Sequence, residues 1–331
     1  MGGRLAFDLE EISHDPQSLD EGGFWAVTTT FEGEWTCARF RTIINSNFPF
    51  SNSQWQGISG EWESTFSQSD YENCVDQIRE EISQGSVYQV NACRELSAQL
   101  SQEPLVGLMA QLLKSNPAPY ASYLKLPKIE IVSASPELFF ELKDRGVRSG
   151  PIKGTQTLDF AGGEKDFGSK DIAENIMIVD LIRNDLGRIC ETGSISVPQL
   201  LKIQDHPGLS HLVSFIEGRI RLGISWVDIS AALLPPGSVS GAPKLSAVST
   251  IKKLEARDRG PYCGALGWVE NDSALLSVAI RIFWNNGDGL LRFGTGAGIT
   301  WSSDARQEWL ETELKAARLI SIAQGRKSST W

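Results

Sequence analysis

The chain has 331 residues, of which 41% are hydrophobic and 22% charged, and it carries a net charge of −10. That length allows one large or two medium domains with a sizeable core. The acidic balance excludes a nucleic-acid binder, since no basic excess is present to release counterions from phosphates. An anionic small molecule would have to rely on local cations or a bound metal ion.

Residues 1–70 read as a reduced N-terminal region that joins the sheet core, with β-rich text at 24–31 and 35–44 broken by polar loops. The following 71–322 form the denser part, and 323–331 are a polar tail. Apolar residues at Val75, Ile78 and Ile82 predict a helix over 71–83 that Gly85 closes. A strand is predicted over 87–100 and a helix over 104–113 with proline in its first turn. Strands follow from 121 to 142 and end at a turn, Pro151-Ile152-Lys153-Gly154-Thr155-Gln156, where a lysine precedes a conformationally free glycine. The longest helical signal runs over 166–189, with apolar positions at Ile172, Ile176, Val179 and Ile182. Strands at 194–202 and 209–221 and helices at 226–234 and 243–254 come next. Strands at 264–269, 274–284 and 290–296 and a helix over 305–320 finish the pattern. Hairpin-connected strands with interspersed helices predict an α+β fold of stacked antiparallel sheets with helices outside.

Five cysteines, Cys37, Cys74, Cys93, Cys190 and Cys263, are widely spaced and form no C-x-x-C pair. This favours free thiols in a reducing compartment. The N-terminus reaches acidic residues too early for a signal peptide, and no apolar run approaches the roughly 20 residues of a membrane span. The expectation is a cytoplasmic protein with no membrane partner.

Two acidic pairs stand out. Asp171 and Glu174 are three apart in one predicted helix, and Glu308 and Glu311 are three apart in another, so each pair shares a face. Carboxylates from two helices suit a loosely held magnesium ion, although solvated helix surface explains either pair alone. Two glycine clusters, at 236–244 and 294–298, are read as a helix-opening loop and a strand-ending loop where backbone approaches a ligand. Neither fits a nucleotide-binding pattern, so a carboxylate is the better guess. Arg281 lies in apolar strand-like text and should meet a counter-charge. His211 reads by itself as a hydrogen-bonded core histidine, and Glu137 enters the strand leading to Lys153.

Several stretches together resemble the chorismate-utilising enzymes, a family that includes anthranilate, isochorismate and aminodeoxychorismate synthases. They are Tyr88-Gln89-Val90-Asn91, Ser135-Pro136-Glu137, Pro151-Ile152-Lys153-Gly154-Thr155, the run from Glu174 to Asp185, Ser238-Val239-Ser240-Gly241-Ala242-Pro243-Lys244 and Gly296-Ala297-Gly298. The resemblance implies a chorismate-binding fold with its active site in a cleft between two sheet layers. It implies Mg2+ as cofactor, with Glu174 and Glu311 as ligands and Asp171 and Glu308 beside them. It implies Glu137 as acid/base, a family histidine near the ring at His211, and carboxylate-binding groups at Ser240, Gly241, Arg281, Gly296, Gly298 and Lys315. The resemblance also counts His211 with the catalytic residues and Trp268, which stands where the family often has tyrosine, with the substrate-binding ones.

Within the family, Pro-Ile-Lys-Gly-Thr resembles the aminodeoxychorismate synthase branch, whereas anthranilate synthases typically carry alanine at the lysine position. That branch implies nucleophilic attack by Lys153 on chorismate, with ammonia supplied by a separate glutamine amidotransferase, since no G-x-C-x-G elbow is present. The short N-terminal region lacks the Leu-Leu-Glu-Ser text of the family's tryptophan pocket, so feedback by tryptophan is not expected. An anthranilate synthase component, or a non-catalytic chorismate-binding subunit, remains as the alternative reading.

Overall fold

The structure, a computed structural model, describes residues 1–100, 104–157, 167–206 and 209–326. The chain begins with β1 (Arg4–Ser13), β2 (Phe24–Thr29), β3 (Trp35–Asn45), the two-residue β4 (Glu63–Ser64) and helix α1 (Gln68–Ser83). Strand β5 (Gln89–Gln99) and helix α2 (Val106–Ser115) lead to β6 (Ser122–Leu126), β7 (Ile129–Ser133), β8 (Leu138–Lys143), β9 (Gly146–Gly150) and β10 (Ile152–Thr157). Helix α3 (Ser169–Gly187) precedes β11 (Ser196–His206), β12 (Leu209–Arg219) and α4 (Trp226–Leu233). The remainder is β13 (Gly241–Ala242), α5 (Lys244–Glu255), β14 (Ala265–Glu270), β15 (Ser273–Val278), β16 (Ile282–Asn285), β17 (Leu290–Ile299) and α6 (Ala305–Ala323).

Local chemistry fixes the helix ends. Ser67 and Asp70 form a reciprocal capping box at the start of α1, which buries Tyr71, Cys74, Val75 and Ile78 at helical spacing. Ser225 and Asp228 do the same for α4, and Asp304 caps α6 by accepting from the Gln307 N–H.

Among the described residues, the strands form two sheets, of ten and seven strands. The larger runs β1-β3-β2-β14-β15-β8-β9-β12-β10 with β11 on β12; the smaller runs β13-β5-β17-β16-β7-β6 with β4 on β5. Neighbouring strands pair antiparallel in both, so the expected α+β class of stacked antiparallel sheets is met. One core joins both sheets, with Leu266 and Val278 from the larger and Val90, Ala297 and Ile282 from the smaller, closed by α1 and α5. A second core packs α3 and α4 on the larger sheet, and a third packs α2 and α6 on the smaller. Helices thus cover the outer faces of the two sheets.

Four expectations need correction. The lysine stretch is not a turn but strand β10, paired with β12 and interrupted by a bulge between Lys153 and Thr155. Gly154 takes φ 77° there, and a Cβ on it would lie 2.8 Å from the Phe167 ring and 3.1 Å from the Asp171 carboxyl carbon. The cluster 294–298 is not a strand-ending loop but part of β17, paired along its length with β5. The predicted strand over 274–284 is two strands, β15 in one sheet and β16 in the other, with Arg281 in the link between them at φ 53°. On α3 the buried stripe is Ile178, Val179, Ile182 and Leu186, while Ile172 and Ile176 are exposed.

Candidate active site

The crossing from β15 to β16 brings the two sheets together around Glu137 and Arg281. Glu137 stands just before β8, and its backbone is fixed there. Its carbonyl accepts from the Val278 N–H at 3.1 Å, and the Ser135 hydroxyl accepts from its N–H at 3.3 Å. The side chain is buried at 4% exposure. Burial raises its pKa to about 7, opposed by hydrogen bonds from the Ser238 hydroxyl and the Ile152 N–H and by the charges of Lys153 and Arg281. Burial also lowers the Arg281 pKa, with Glu137 as its counter-charge. A small cavity is lined by Glu137, Ser149, Asp185 and Ser238.

Lys153 sits on β10, one residue before the bulge. Burial pushes the carboxyls of Asp171 and Glu174 up, as it does that of Glu137, and the Lys153 charge acts against it on all three. It also helps Lys315 and Lys170 to overcome burial and hold Glu311 below its ordinary value. Glu137, Asp171, Glu174 and Glu311 therefore all lie within electrostatic reach of Lys153.

Helix α3 is anchored at this point by Asn175, which is fully buried next to Glu174. Its amide donates to the Leu212 carbonyl at 3.1 Å and accepts from the Ser214 hydroxyl at 2.5 Å, both on β12. Helix α6 is anchored to the smaller sheet, where Thr312 accepts from Thr295 through its carbonyl at 3.0 Å and from Arg94 through its hydroxyl at 3.0 Å. The two helices meet where the Lys170 ammonium donates to Glu308 Oε1 at 2.9 Å, with Glu174 Oε1 3.9 Å away. Lys315 lies 2.6 Å from Glu311 and donates to the Gly296 carbonyl at 3.0 Å.

These carboxylates match a hard divalent cation in ligand type. The second oxygen of Glu308, buried at 3% exposure, has no hydrogen-bond partner, as a cation-binding oxygen requires. Among the described residues, no three His, Cys, Asp or Glu side chains converge closely enough to hold a metal ion as they stand. Two lysine ammoniums are on these carboxylates instead.

The glycine positions work through backbone approach. Gly298 pairs with Asn91, and a Cβ on it would overlap the Gln89 amide; one on Gly296 would overlap the Ala92 carbonyl. Gly241 takes φ 140° and packs on the Gln89 carbonyl. The Ser240 hydroxyl donates to the Pro236 carbonyl at 3.1 Å, so it stiffens the loop from within. His211 is buried on β12, in register with Thr155 of β10 and Gln204 of β11. Trp268 is on β14, stacked on Phe24 at 6.1 Å with the Arg4 guanidinium 4.4 Å over its ring. Those contacts tie it to the N-terminal strands rather than to the groups about Lys153.

Four contributors escaped the sequence reading. Ser238 hydrogen-bonds Glu137, and Lys170 bridges α3 and α6. Gln89 is fully buried, with neither amide atom hydrogen-bonded. Lys244 lies 2.6 Å from Asp185, a buried pair that ties the start of α5 to the end of α3. Only Lys170 carried a signal in the sequence, as a lysine four residues before Glu174.

Residues 28–321 match the family model described as chorismate binding enzyme, and the chain belongs to that family. It is 36% identical over 267 residues to anthranilate synthase component 1 of Saccharolobus solfataricus, covering 78% of this chain and 63% of the relative. It is 32% identical over 274 residues to aminodeoxychorismate synthase component 1 of Klebsiella aerogenes, covering 80% of this chain and 60% of the relative. The chain thus spans about three fifths of the length of each. Its fold superposes on anthranilate synthase component I from Streptococcus pneumoniae TIGR4 with a TM-score of 0.81 at 23% identity, over 96% of this chain and 91% of the other. Among the described residues no helix is long and apolar enough to cross a membrane.

Proposed function

We propose that this chain is the ring-aminating component that converts chorismate and ammonia to 4-amino-4-deoxychorismate and water. The observation that carries the reading is Lys153 on β10, whose charge reaches Glu137, Asp171, Glu174 and Glu311 alike.

The Lys153 amine nitrogen attacks C2 of the ring with its lone pair, the ring double bonds shift, and the C4–O bond breaks. Protonated Glu137 gives its proton to the departing hydroxyl, which leaves as water, and the carboxylate then takes the extra proton from the lysine adduct. Ammonia attacks C4, the double bonds shift back, and the C2–N bond breaks as Glu137 gives its proton to the departing lysine amine; the carboxylate then takes a proton from the new C4 ammonium, which restores both groups. A carboxyl near pKa 7 is suited to both proton transfers. Arg281 faces Glu137 and offers a cation to a substrate carboxylate, and Lys315 and the β17 glycines offer a second approach. Glu174 and Glu311, with Asp171 and Glu308 beside them, would hold Mg2+, which supplies positive charge for the ring carboxylate when bound. Ammonia would come from a separate glutamine amidotransferase, a reading supported by the component 1 names of the relatives.

The relatives' names favour one second reading, an anthranilate synthase component. Incubation with chorismate, Mg2+ and ammonium, followed by product identification, separates the two. A product converted to 4-aminobenzoate by the lyase supports the proposal. Anthranilate as the product overturns it, and binding without turnover points to a non-catalytic subunit.

A further inference from the structure

Lys170 is the second residue of α3. A cation in a first helical turn faces the positive end of the helix dipole, so the helix itself gives no reason for a lysine there. Its ammonium instead spans two helices, 2.9 Å from Glu308 on α6 and 3.9 Å from Glu174 on its own helix. Glu308 is the most demanding partner. Its carboxylate is 3% exposed, and its other oxygen has no hydrogen-bond partner. A buried carboxylate without a counter-charge is strongly unfavourable, and Lys170 provides that charge.

The same oxygens are those a divalent cation would take under the reading above, on which this inference rests. An ammonium at 2.9 Å from Glu308 Oε1 and a dication on the same carboxylates repel at short range. The lysine side chain is 44% exposed, so it has solvent to swing into. We propose that Lys170 is a built-in competitor for the metal: it neutralises Glu308 and Glu174 and holds α3 to α6 until a divalent cation displaces it. The metal affinity of the protein is then set by an exchange of one cation for another, weaker than four carboxylates would otherwise provide.

The test is calorimetric titration of the full chain with MgCl2 alone, for wild type, Lys170→Met and Lys170→Arg, with thermal unfolding of each at zero and saturating Mg2+. The expected result is Mg2+ binding roughly tenfold tighter in Lys170→Met, from removal of a competitor worth a partly buried ion pair. Lys170→Arg, which keeps the charge, binds Mg2+ no more tightly than wild type. Lys170→Met should melt lower than wild type without Mg2+ and level with it at saturation. An unchanged or weaker Mg2+ affinity in Lys170→Met overturns the inference while leaving the metal reading in place. So does a loss of melting temperature that is the same with and without Mg2+, which marks a merely structural ion pair. Absence of Mg2+ binding in both wild type and Lys170→Met overturns the inference and the metal reading together.

Discussion

The two ends of the site use the same residue type in opposite ways. At one end, burial of Glu137 outweighs the Ser238 hydroxyl, the Ile152 N–H and the charges of Lys153 and Arg281, and its pKa rises to about 7. At the other, Glu308 and Glu311 each hold a lysine ammonium, at 2.9 and 2.6 Å. Burial works on Glu311 too, but the charges of Lys315, Lys170 and Lys153 prevail and keep it below its ordinary value. The first arrangement makes a group that exchanges a proton near neutrality. The second keeps Glu311 ionised and in need of a cation. The Lys153 charge acts on both, on Glu137 at the first end and on Glu311 at the second.

The sharpest way to break this contrast is to remove the charge that acts on both halves. Lys153→Ala should lower 4-amino-4-deoxychorismate formation by about 10^3-fold or more while chorismate still binds. Quantifying 4-aminobenzoate after lyase addition, with calorimetric binding of chorismate in parallel, checks both parts. Unchanged 4-aminobenzoate output would remove the nucleophile role from Lys153.

Glu137→Gln comes next. The rate should fall roughly 10^2- to 10^4-fold, as loss of a positioned acid does. The limb of the wild-type pH–rate profile that falls as pH rises through about 7 should vanish with it. Stability should move the other way. The folded-state pKa is raised above 4.5, so between about pH 4.5 and 7 the native state holds a proton that the unfolded state has released, and stability falls as pH rises through that window. Gln at this position carries no such penalty, so the variant should be more stable than wild type at pH 8 by on the order of 2–3 kcal/mol. The gain should disappear near pH 4.5, and denaturant unfolding at the two pH values reads it directly. An equal difference at both would mean that Glu137 is not held near neutrality.

The chain's text made the acidic end more legible than the proton-exchanging end. Asp171, Glu174, Glu308 and Glu311 announce themselves by i,i+3 spacing, and Lys153 by the motif that surrounds it. Ser238 does not, because nothing in a glycine-rich loop says which hydroxyl reaches a glutamate a hundred residues away. Pro151 to Gly154 read as a turn because proline and glycine usually punctuate, yet β12 pairs with the stretch and the glycine only makes the bulge. Gly294 to Gly298 read as a loop because glycine is a poor strand former, and only the closeness of β5 explains why those strand positions lack side chains. Ile172 and Ile176 fit a helical period but not the buried one, since α3 presents the neighbouring stripe to the core. In each case the missing information was tertiary.

At the anionic end, Glu174→Gln should raise the Mg2+ concentration for half-maximal activity roughly tenfold, because an amide is a weaker ligand for a hard cation than a carboxylate. A Mg2+ titration of product formation measures it, and an unaltered curve would place Glu174 outside the metal shell.

The smallest effect is expected at Gln89, a third buried polar group that matches neither end. It is fully buried like Glu137, but nothing donates to it or accepts from it among the described residues. Its amide lies against the space left by the missing side chain of Gly298. A buried amide without partners costs about 1–3 kcal/mol in lost hydration, and replacing it with a hydrocarbon of similar volume removes that cost. Gln89→Leu should therefore melt a few degrees above wild type without ligand. If the amide instead meets a substrate group across the glycine gap, the stabilisation that chorismate confers should be smaller in the variant than in wild type. Thermal unfolding with and without chorismate gives both numbers. A variant that melts lower without ligand would mean that Gln89 has partners in solution, and would return it to the well-paired class represented by Asn175.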